Sequence, residues 1–329
     1  MMPLRVTSQA VAEKAGVSRS AVSRVFTPGA SVAPKTAEKV RRVADEMGYR
    51  PNVLARGLLT GQSRMIGLVV AYLDNQFYPG VLEQLSAALE AQGYHVLIFM
   101  AAQTAGNVEE VAEDILDYQI DGLILASVAL SSNLAQRCRA RGVPVVLFNR
   151  HQEDGELSVT SDNYAGGRLA ARHLIDRGAR KIGHIAGWEG ASTQADREAG
   201  LIDELTAAGL QLHARAIGDF HPETACKAAR EMFAADDPPD GVFVSNDYMA
   251  FPVMDVLRYE MGLRIPQDVA IVGFDDVPVA SWASYDLTTI RQDSSAMVDA
   301  TVRSLLASIE GTQPRSSLIP VQLVERSSA

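Results

Sequence analysis

Apolar positions follow two different periods along the chain, and the change falls near residue 64. Before it they recur at helical spacing, as at Val40, Val43, Ala44 and Met47. After it they form continuous runs between amphipathic stretches, which is typical of parallel strands covered on both faces. We predict strands at 65–71, 94–100, 122–126, 144–148, 181–187, 214–218, 241–247, 269–276 and 318–324. This repeated alternation predicts a doubly wound α/β plan used twice, with a ligand cleft at the strand carboxyl ends.

Capping residues indicate where the N-terminal helices begin and end. Ser8 can cap a first helix, Gly16 suits the turn after it, and Ser18 stands where the N-cap of a second helix belongs. Pro34 can open a third helix, which Gly48 ends. The segment VAEKAGVSRSAVSRV, residues 11–25, therefore has the spacing of a helix-turn-helix, which presents its second helix to the DNA major groove. The alternative is an amphipathic helix pair with solvated arginines.

Three residues of the second helix are candidates for reading bases. Arg19 and Arg24 carry planar forks of donors that fit guanine O6 and N7, and the Ser20 hydroxyl can donate or accept at several base edges. Charge supports this interpretation. The first 62 residues carry ten Lys and Arg against four Asp and Glu, whereas the rest carry 20 basic and 36 acidic residues. Only the basic N-terminal part should therefore contact phosphate.

The segment YRPNVLARGLLTGQS, residues 49–63, predicts a hinge. Pro51 and Asn52 can begin a helix, but Gly57 weakens it and so short a helix is marginal in water. Its leucines suit pairing with a partner hinge and insertion between base steps of the minor groove. The alternative is an ordinary linker whose leucines pack on the neighbouring domain.

Composition narrows the function classes. The chain lacks an N-terminal apolar stretch and any run of about eighteen apolar residues, so we expect a cytoplasmic protein that makes no use of a membrane. Cys138 and Cys226 stand apart from any CxxC pair or histidine cluster, which favours free thiols. The six histidines are scattered, and no GxGxxG, P-loop or GxSxG motif occurs. We therefore expect no metal, no cofactor and no enzymatic activity.

Over essentially its whole length the chain resembles the LacI/GalR family of bacterial transcription regulators. The resemblance rests on VAEKAGVSRSAVSRV, on YRPNVLARGL at 49–58, on SNDYMA at 245–250, and on VGFDD followed by LTTIRQD at 272–293. It implies a dimeric repressor with a helix-turn-helix headpiece, a hinge helix in the minor groove, and a two-lobed effector domain similar to type I periplasmic sugar-binding proteins. It places base reading on Arg19, Ser20 and Arg24, and the intercalating leucine on Leu58. The full set of predicted DNA-binding residues is Ser18, Arg19, Ser20, Ser23, Arg24, Asn52, Ala55, Arg56 and Leu58.

The resemblance also implies an effector pocket. A sugar needs side chains that hydrogen-bond adjacent hydroxyls and an aromatic face against the ring. The predicted pocket residues are Asp74, Phe77, Tyr78, Asn149, Trp188, Arg197, Phe220, Asn246, Asp247 and Asp275, with Gln76 and Arg150 beside them. Structural alternatives remain open: Asp275 and Asp276 could cap a turn, Trp188 could belong to the core, and Arg197 could pair with Glu198 or another surface acid.

Two positions depart from the family pattern. Asn75-Gln76-Phe77 stands where members commonly have Asn-Pro-Phe, and Asn149 stands where many have aspartate. Because an amide donates as well as accepts, the pattern of hydroxyls bound there can differ. Arg150 leaves room for an anionic effector such as a sugar acid or a sugar phosphate.

These observations together predict a regulator of three parts. The headpiece spans 1–50, the hinge and linker 51–62, and the effector-binding and dimerisation domain 63–329. Within the last, lobe one covers about 63–162 and 293–320, and lobe two about 163–292 and 321–329. The expected partners are double-stranded operator DNA, a small sugar, sugar acid or sugar phosphate, and a second copy of the chain. The alternatives are a sugar-binding transport protein, which would need an export signal and no basic headpiece, and an α/β enzyme.

Overall fold

The computed structural model divides into two compact units, Met1–Ser63 and Arg64–Ala329, which we call the helical unit and the two-lobed unit. The residues that it describes are 6–27, 29–50, 63–70, 73–101, 111, 115–128, 131–152 and 156–329. The predicted hinge at 51–62 lies outside the described residues.

The helical unit contains α1 (Ser8–Ala15), α2 (Arg19–Val25) and α3 (Pro34–Met47). Both ends of α3 are as predicted, because Pro34 is its first residue and Gly48 follows in the left-handed conformation. Gly16 has the same conformation after α1, and the Ser18 hydroxyl caps α2 by accepting from the Ala21 amide. The predicted cap of α1 is wrong by one residue. Thr7 accepts from the Ala10 amide, and Ser8 already lies within the helix.

A single apolar core holds these three helices together. Its buried members are Val11, Ala12, Ala15, Val22, Val25, Val40, Val43 and Ala44. They recur at three- and four-residue spacing, so each helix turns one face inward. The opposite faces stay in solvent, which leaves the polar side of α2 exposed.

The two-lobed unit is built on two six-stranded sheets. The strands of the first lobe are β1 (Met65–Val70), β2 (His95–Met100), β3 (Gly122–Ala126), β4 (Val145–Phe148), β5 (Ser158–Ser161) and β11 (Ser317–Ile319). Those of the second lobe are β6 (Ile182–Ala186), β7 (Ala214–Ile217), β8 (Gly241–Val244), β9 (Ala270–Asp275), β10 (Thr288–Gln292) and β12 (Val321–Val324). The orders are β11-β5-β4-β3-β1-β2 and β12-β10-β9-β8-β6-β7. All pairings are parallel except that of β10 with β12.

Helices connect the strands, as the amphipathic stretches predicted. They are α4 (Phe77–Ala91), α5 (Ser132–Ala140), α6 (Asn163–Asp176), α7 (Ser192–Ala207), α8 (Pro222–Phe233), α9 (Asp247–Asp255) and α10 (Ser294–Ile309). After the second lobe is nearly complete, α10 returns to pack on the first lobe. The chain therefore crosses between the lobes several times before it ends.

Two strand predictions need correction. Residues 318–324 form two short strands, β11 and β12, and these belong to different sheets. Pro320 separates them, because it has no amide hydrogen to continue a ladder. The strand β2 is not covered on both faces: it is the last strand of its sheet, and Ile98 and Met100 are about half exposed.

Within the described part of the chain, no helix is both long and apolar enough to cross a bilayer.

Candidate functional site

The polar residues that the sequence analysis predicted to bind DNA from α2 all lie on its exposed face. Ser18, Arg19, Ser20, Ser23 and Arg24 are all exposed, while Val22 and Val25 point into the core. Among the residues that the structure describes, neither arginine forms an ion pair. Their donors are therefore available to a ligand of opposite charge, and phosphate oxygens and guanine edges accept such donors.

The predicted hinge contacts cannot be placed in the same way. Asn52, Ala55, Arg56 and Leu58 lie outside the described residues, so their DNA-binding roles stay predictions.

A polar cavity lies between the two sheets of the two-lobed unit, and a water-sized sphere can reach about 20 Å³ of it. We call this the inner cavity. Its lining residues come from both lobes: Asn75, Tyr78, Ser127, Asn149, Arg150, Thr193, Arg197, Phe220, Asn246 and Asp275. Half of them end a parallel strand or follow one within two residues, as expected for ligand sites in such sheets: Ser127, Asn149, Arg150, Asn246 and Asp275.

Several lining residues have strained backbones. Ser127, Asn149, Phe220 and Asp275 all have positive φ, at 61°, 56°, 56° and 131°. Non-glycine residues rarely adopt such angles, and when they do they cluster at binding and catalytic sites. In each case the positive φ occurs at the end of a strand or in the loop that follows it beside the cavity. These turns therefore help to shape the site.

Arg197 forms one wall of the inner cavity and is fixed on three sides. Its Nε donates to Asn163 Oδ1 at 2.8 Å, its Nη1 donates to the carbonyl of Ser245, and its guanidinium lies 3.6 Å from the centroid of the Phe274 ring. Burial lowers the pKa of Arg197 to about 10, so it stays charged at neutral pH. The predicted alternative, pairing with Glu198, is not observed, because Glu198 bonds to Arg215.

Two glycines let the helix that carries Arg197 approach its neighbour. A Cβ on Gly167 of α6 would stand 2.0 Å from the Arg197 carbonyl oxygen, and one on Gly200 of α7 would stand 2.0 Å from the Tyr164 carbonyl oxygen. Neither distance is possible for a real side chain. The glycines therefore set the position of Arg197.

The second lobe also contributes two buried carboxyl groups. Asp275 accepts from Gln292 Nε2 at 2.7 Å and from Asn75 Nδ2 at 3.3 Å, and the second bond crosses the cleft. Asp247 accepts from the Thr289 hydroxyl at 2.6 Å and from the Val277 amide at 3.1 Å. Desolvation raises the pKa of Asp275 to about 6, and desolvation with repulsion by Asp275 raises that of Asp247 to about 7.

The first lobe supplies Asn149 and Arg150 at the end of β4. Asn149 Nδ2 donates to the Tyr78 hydroxyl at 3.1 Å. Arg150 Nη1 reaches across the cleft to Thr193 Oγ1 at 2.6 Å. Another contact between the lobes lies beside it, where the His151 ring is 2.8 Å from Asp196 Oδ2. Together with the bond between Asn75 and Asp275, these contacts hold the lobes together.

The structure brings together most, but not all, of the predicted pocket residues. Tyr78, Asn149, Arg197, Phe220, Asn246 and Asp275 line the inner cavity. Asp74, Phe77, Trp188 and Asp247 are not among its lining residues.

Each of these four residues has another place. Phe77 and Trp188 pack with the apolar core, and Asp74 borders a separate groove. Asp247, the first residue of α9, is fully buried, and its carboxylate accepts from the Thr289 hydroxyl and the Val277 amide.

Sequence reasoning missed three lining residues, Asn75, Ser127 and Thr193. Ser127 could have been found, because it directly follows a buried strand as Asn149 does. Asn75 belongs to the loop whose other residues, Asp74 and Gln76 to Tyr78, were predicted to reach the pocket, and it was itself noted only for the family pattern. Thr193 lies one residue into α7, and nothing in its sequence neighbourhood marks it.

The described residues contain no group of three or more His, Cys, Asp or Glu side chains arranged to hold a metal ion.

Comparisons with known proteins match both units. A model of bacterial regulatory proteins of the lacI family matches residues 7–52, and one of the periplasmic binding protein-like domain matches residues 171–329. The HTH-type transcriptional regulator CelR of Thermobifida fusca is 32% identical, over 98% of each chain.

Two solved structures are similar over nearly the whole chain. A lac repressor dimer bound to operator and the anti-inducer ONPF has a TM-score of 0.90 and 29% identity, covering 99% of both chains. A CelR–cellobiose complex has a TM-score of 0.74 and 32% identity, covering 99% of this chain and 100% of the other.

Proposed function

Because this chain belongs to the LacI family of bacterial regulatory proteins, as its motifs predicted, we propose that it is an operator-binding repressor controlled by a small sugar-like effector. The observation that carries the proposal is the presence, in one chain, of an exposed basic recognition helix and a buried polar cavity between two lobes. A transport protein would have no use for the helical unit.

The helical unit supplies operator recognition in this proposal. Arg19, Ser20 and Arg24 read base edges, and Ser18 and Ser23 flank them on the same exposed face. Residues 51–62 act as the hinge, where Asn52, Ala55 and Arg56 contact DNA and Leu58 enters the minor groove. Replacing Leu58 by alanine should lower operator affinity and leave effector affinity unchanged.

The inner cavity supplies effector recognition. Asp275 and Asn246 can bond neighbouring hydroxyls of one ligand, since the Asn246 oxygen already caps α9 and leaves its amide group to donate. Arg197 donates from the same wall, and the Phe220 ring offers an apolar face. Asp247 holds this wall in place through Thr289 and Val277.

Control arises from the contacts that join the lobes. A ligand that bonds residues of both lobes stabilises the arrangement in which Asn75 meets Asp275 and Arg150 meets Thr193. If that arrangement differs in operator affinity from the open one, ligand and DNA are coupled, typically by about 1–3 kcal/mol. The coupling is reciprocal, so each ligand changes the affinity of the other by the same factor.

A second copy of this chain completes the operator-binding form. Palindromic half-sites need two recognition helices. In the described part of the first lobe, the edge strand β2 exposes the apolar side chains of Ile98 and Met100 next to each other on one face, and such apolar surface can serve as a protein contact. We propose that this face pairs with its copy. Met100→Glu should shift the sedimentation coefficient from that of a dimer to that of a monomer.

We propose that the protein has no catalytic role and that it acts in the cytoplasm, where its DNA target lies. Purified protein should leave any bound sugar chemically unchanged, and measured turnover would favour the enzyme alternative.

A thermal-shift screen followed by a DNA-binding titration tests the proposal. The screen covers sugars, sugar acids and sugar phosphates. The ligand that raises the unfolding temperature is then titrated into a complex with the DNA upstream of the chain's own gene, with a random duplex as control. A change in affinity for the upstream DNA alone supports the proposal. No preference for any palindromic duplex, with or without ligand, would contradict it.

A further inference from the structure

The inner cavity contains a buried positive charge that the protein itself does not neutralise. Arg150 is 5% exposed, and its two hydrogen bonds from Nη1 go to neutral acceptors, the Asn149 carbonyl and the Thr193 hydroxyl. Its Nε is a buried donor with no hydrogen-bond partner. In the described part of the chain, no carboxylate lies within ion-pair distance of this guanidinium.

The other charged groups of the cavity have more partners. Arg197 donates to Asn163 and to the Ser245 carbonyl and lies over the Phe274 ring, and the charge of Asp275 favours its protonated form. Asp275 in turn accepts from Asn75 and Gln292. The positive charge of Arg150 lowers the pKa of Arg197 further, so the two guanidiniums repel each other inside one cavity. A buried charge without a partner is costly, and the missing counter-charge must come from outside the protein.

The position of Arg150 indicates where that counter-charge binds. Arg150 also borders a wider chamber of about 260 Å³, which is lined by His151, Gln152, Glu189, Gly190, Ala191, Ser192 and Ala195. It therefore stands at the junction between the inner cavity and this outer chamber. Asn149 Oδ1, in the neighbouring residue, is a buried acceptor without a partner. The Arg150 guanidinium would pair with an anion, and Asn149 Oδ1 would accept a hydrogen bond from a hydroxyl.

We infer that the effector is an anionic sugar, with its hydroxyls in the inner cavity and a carboxylate or phosphate at the junction, paired with Arg150. This rests on the proposed function and narrows its ligand class. The hydroxylated part meets Asp275, Asn246 and Asn149, and the anion stays on the side away from Asp275. A phosphate extends into the outer chamber, and a carboxylate remains at its entrance.

Matched ligand sets test the inference by calorimetry on the full-length protein. Each set shares one carbon skeleton, as in D-glucose, D-glucuronate and D-glucose 6-phosphate, or D-galactose, D-galacturonate and D-galactose 6-phosphate. We expect the tightest ligand of the panel to be an acid or a phosphate, at least about tenfold tighter than its neutral counterpart, because charge-assisted bonds in a buried site exceed neutral ones. Within each set, the affinities of the sugar acid and of the sugar phosphate show which of the two anions binds at the junction.

Variants of Arg150 assign the preference to this residue. Arg150→Gln should remove the advantage of the anionic ligand over its neutral counterpart, and Arg150→Lys should keep most of it. Arg139→Gln changes an exposed arginine of α5 that pairs with Glu156, and it should leave all affinities unchanged. Operator binding without effector verifies that each variant is folded.

The outcomes separate this inference from the proposed function. A neutral sugar as the tightest ligand, or an anionic preference that survives Arg150→Gln, overturns the inference and leaves the proposed function intact. If no neutral or anionic sugar binds and none alters operator affinity, the sugar-controlled function itself fails.

Discussion

The recognition helix and the effector cleft hold their polar residues in opposite ways. On α2 the arginines and serines are exposed, and within the described chain Arg19 and Arg24 have no ion-pair partner. In the cleft Arg197, Asp247 and Asp275 are nearly or fully buried, and each is fixed by hydrogen bonds. An exposed charge remains hydrated until DNA arrives, whereas a buried one must be matched by the protein or by its ligand.

This contrast has consequences for what each region can select. Water and salt ions compete for the exposed arginines, so their phosphate contacts are salt-dependent and their selectivity comes from base geometry. The cleft excludes water and selects by complementarity, because any polar group left unmatched there lowers affinity. Substitutions should therefore affect stability and pH dependence in the cleft, and affinity and salt dependence on α2.

The largest expected effect comes from the buried carboxyl group of Asp247. Its pKa is raised from 3.8 to about 7, so between these values the folded state holds a proton that the unfolded state releases, and stability falls as pH rises. Asp247→Asn removes this titration and can keep both hydrogen bonds, to the Val277 amide and to Thr289 Oγ1. The free energy of unfolding of Asp247→Asn should be higher than that of the parent protein. The difference should be small at pH 4 and should grow to about 4 kcal/mol at pH 7. Urea unfolding at several pH values measures this difference, and a constant difference would contradict the assignment.

The next effect concerns the helix crossing behind Arg197. Gly167→Ala forces a Cβ against the Arg197 carbonyl, and we expect a loss of about 3 kcal/mol in unfolding free energy together with weaker effector binding. Gly80→Ala is the matched control, because no atom lies within 4 Å of its added Cβ and alanine favours the helix. Equal stability of the two variants would show that the crossing can relax.

On the exposed side, Arg19→Ala should act on specificity and not on folding. It should cost about 2 kcal/mol of operator affinity and relax base preference at one symmetric pair of operator positions. Affinities for a set of singly substituted operators measure this. A uniform loss across all sequences would make Arg19 a phosphate contact.

The smallest effect is expected at the start of α2. Ser18→Ala removes the bond from the Ala21 amide to the Ser18 hydroxyl and should destabilise the helical unit by about 1 kcal/mol. Ser20→Ala, two residues further on the exposed face, should not change stability. Hydrogen exchange of the α2 amides in the DNA-free protein distinguishes the two.

The three described helices of the helical unit, α1 to α3, could be predicted almost completely because their structure is local. Caps, turn glycines and apolar spacing lie within fifty residues, and only the cap of α1 was displaced, from Ser8 to Thr7. Most strands were also recognisable, since continuous apolar runs indicate buried strands. The strands β5 and β10 were missed, because they are buried although their sequences, SVTS and TTIRQ, are largely polar. The exposure of β2 could not be predicted, because it depends on which strand ends the sheet.

The cleft was harder to predict because its residues meet only through the fold. Asn75 and Asp275 are 200 positions apart and share a hydrogen bond. Asn246 and Asp247 are adjacent, yet one lines the inner cavity and the other is fully buried and is not among its lining residues. The direction of a side chain at the junction of a strand and a helix depends on the turn between them, which composition does not specify.

The central claim is that occupancy of the cleft and affinity for the operator are linked. The most direct measurement is the affinity of the effector for the full-length protein, by calorimetry, in the presence of saturating operator duplex and of a random duplex. The account predicts that the operator changes effector affinity by the same factor by which the effector changes operator affinity. Equal effector affinity with both duplexes would contradict it.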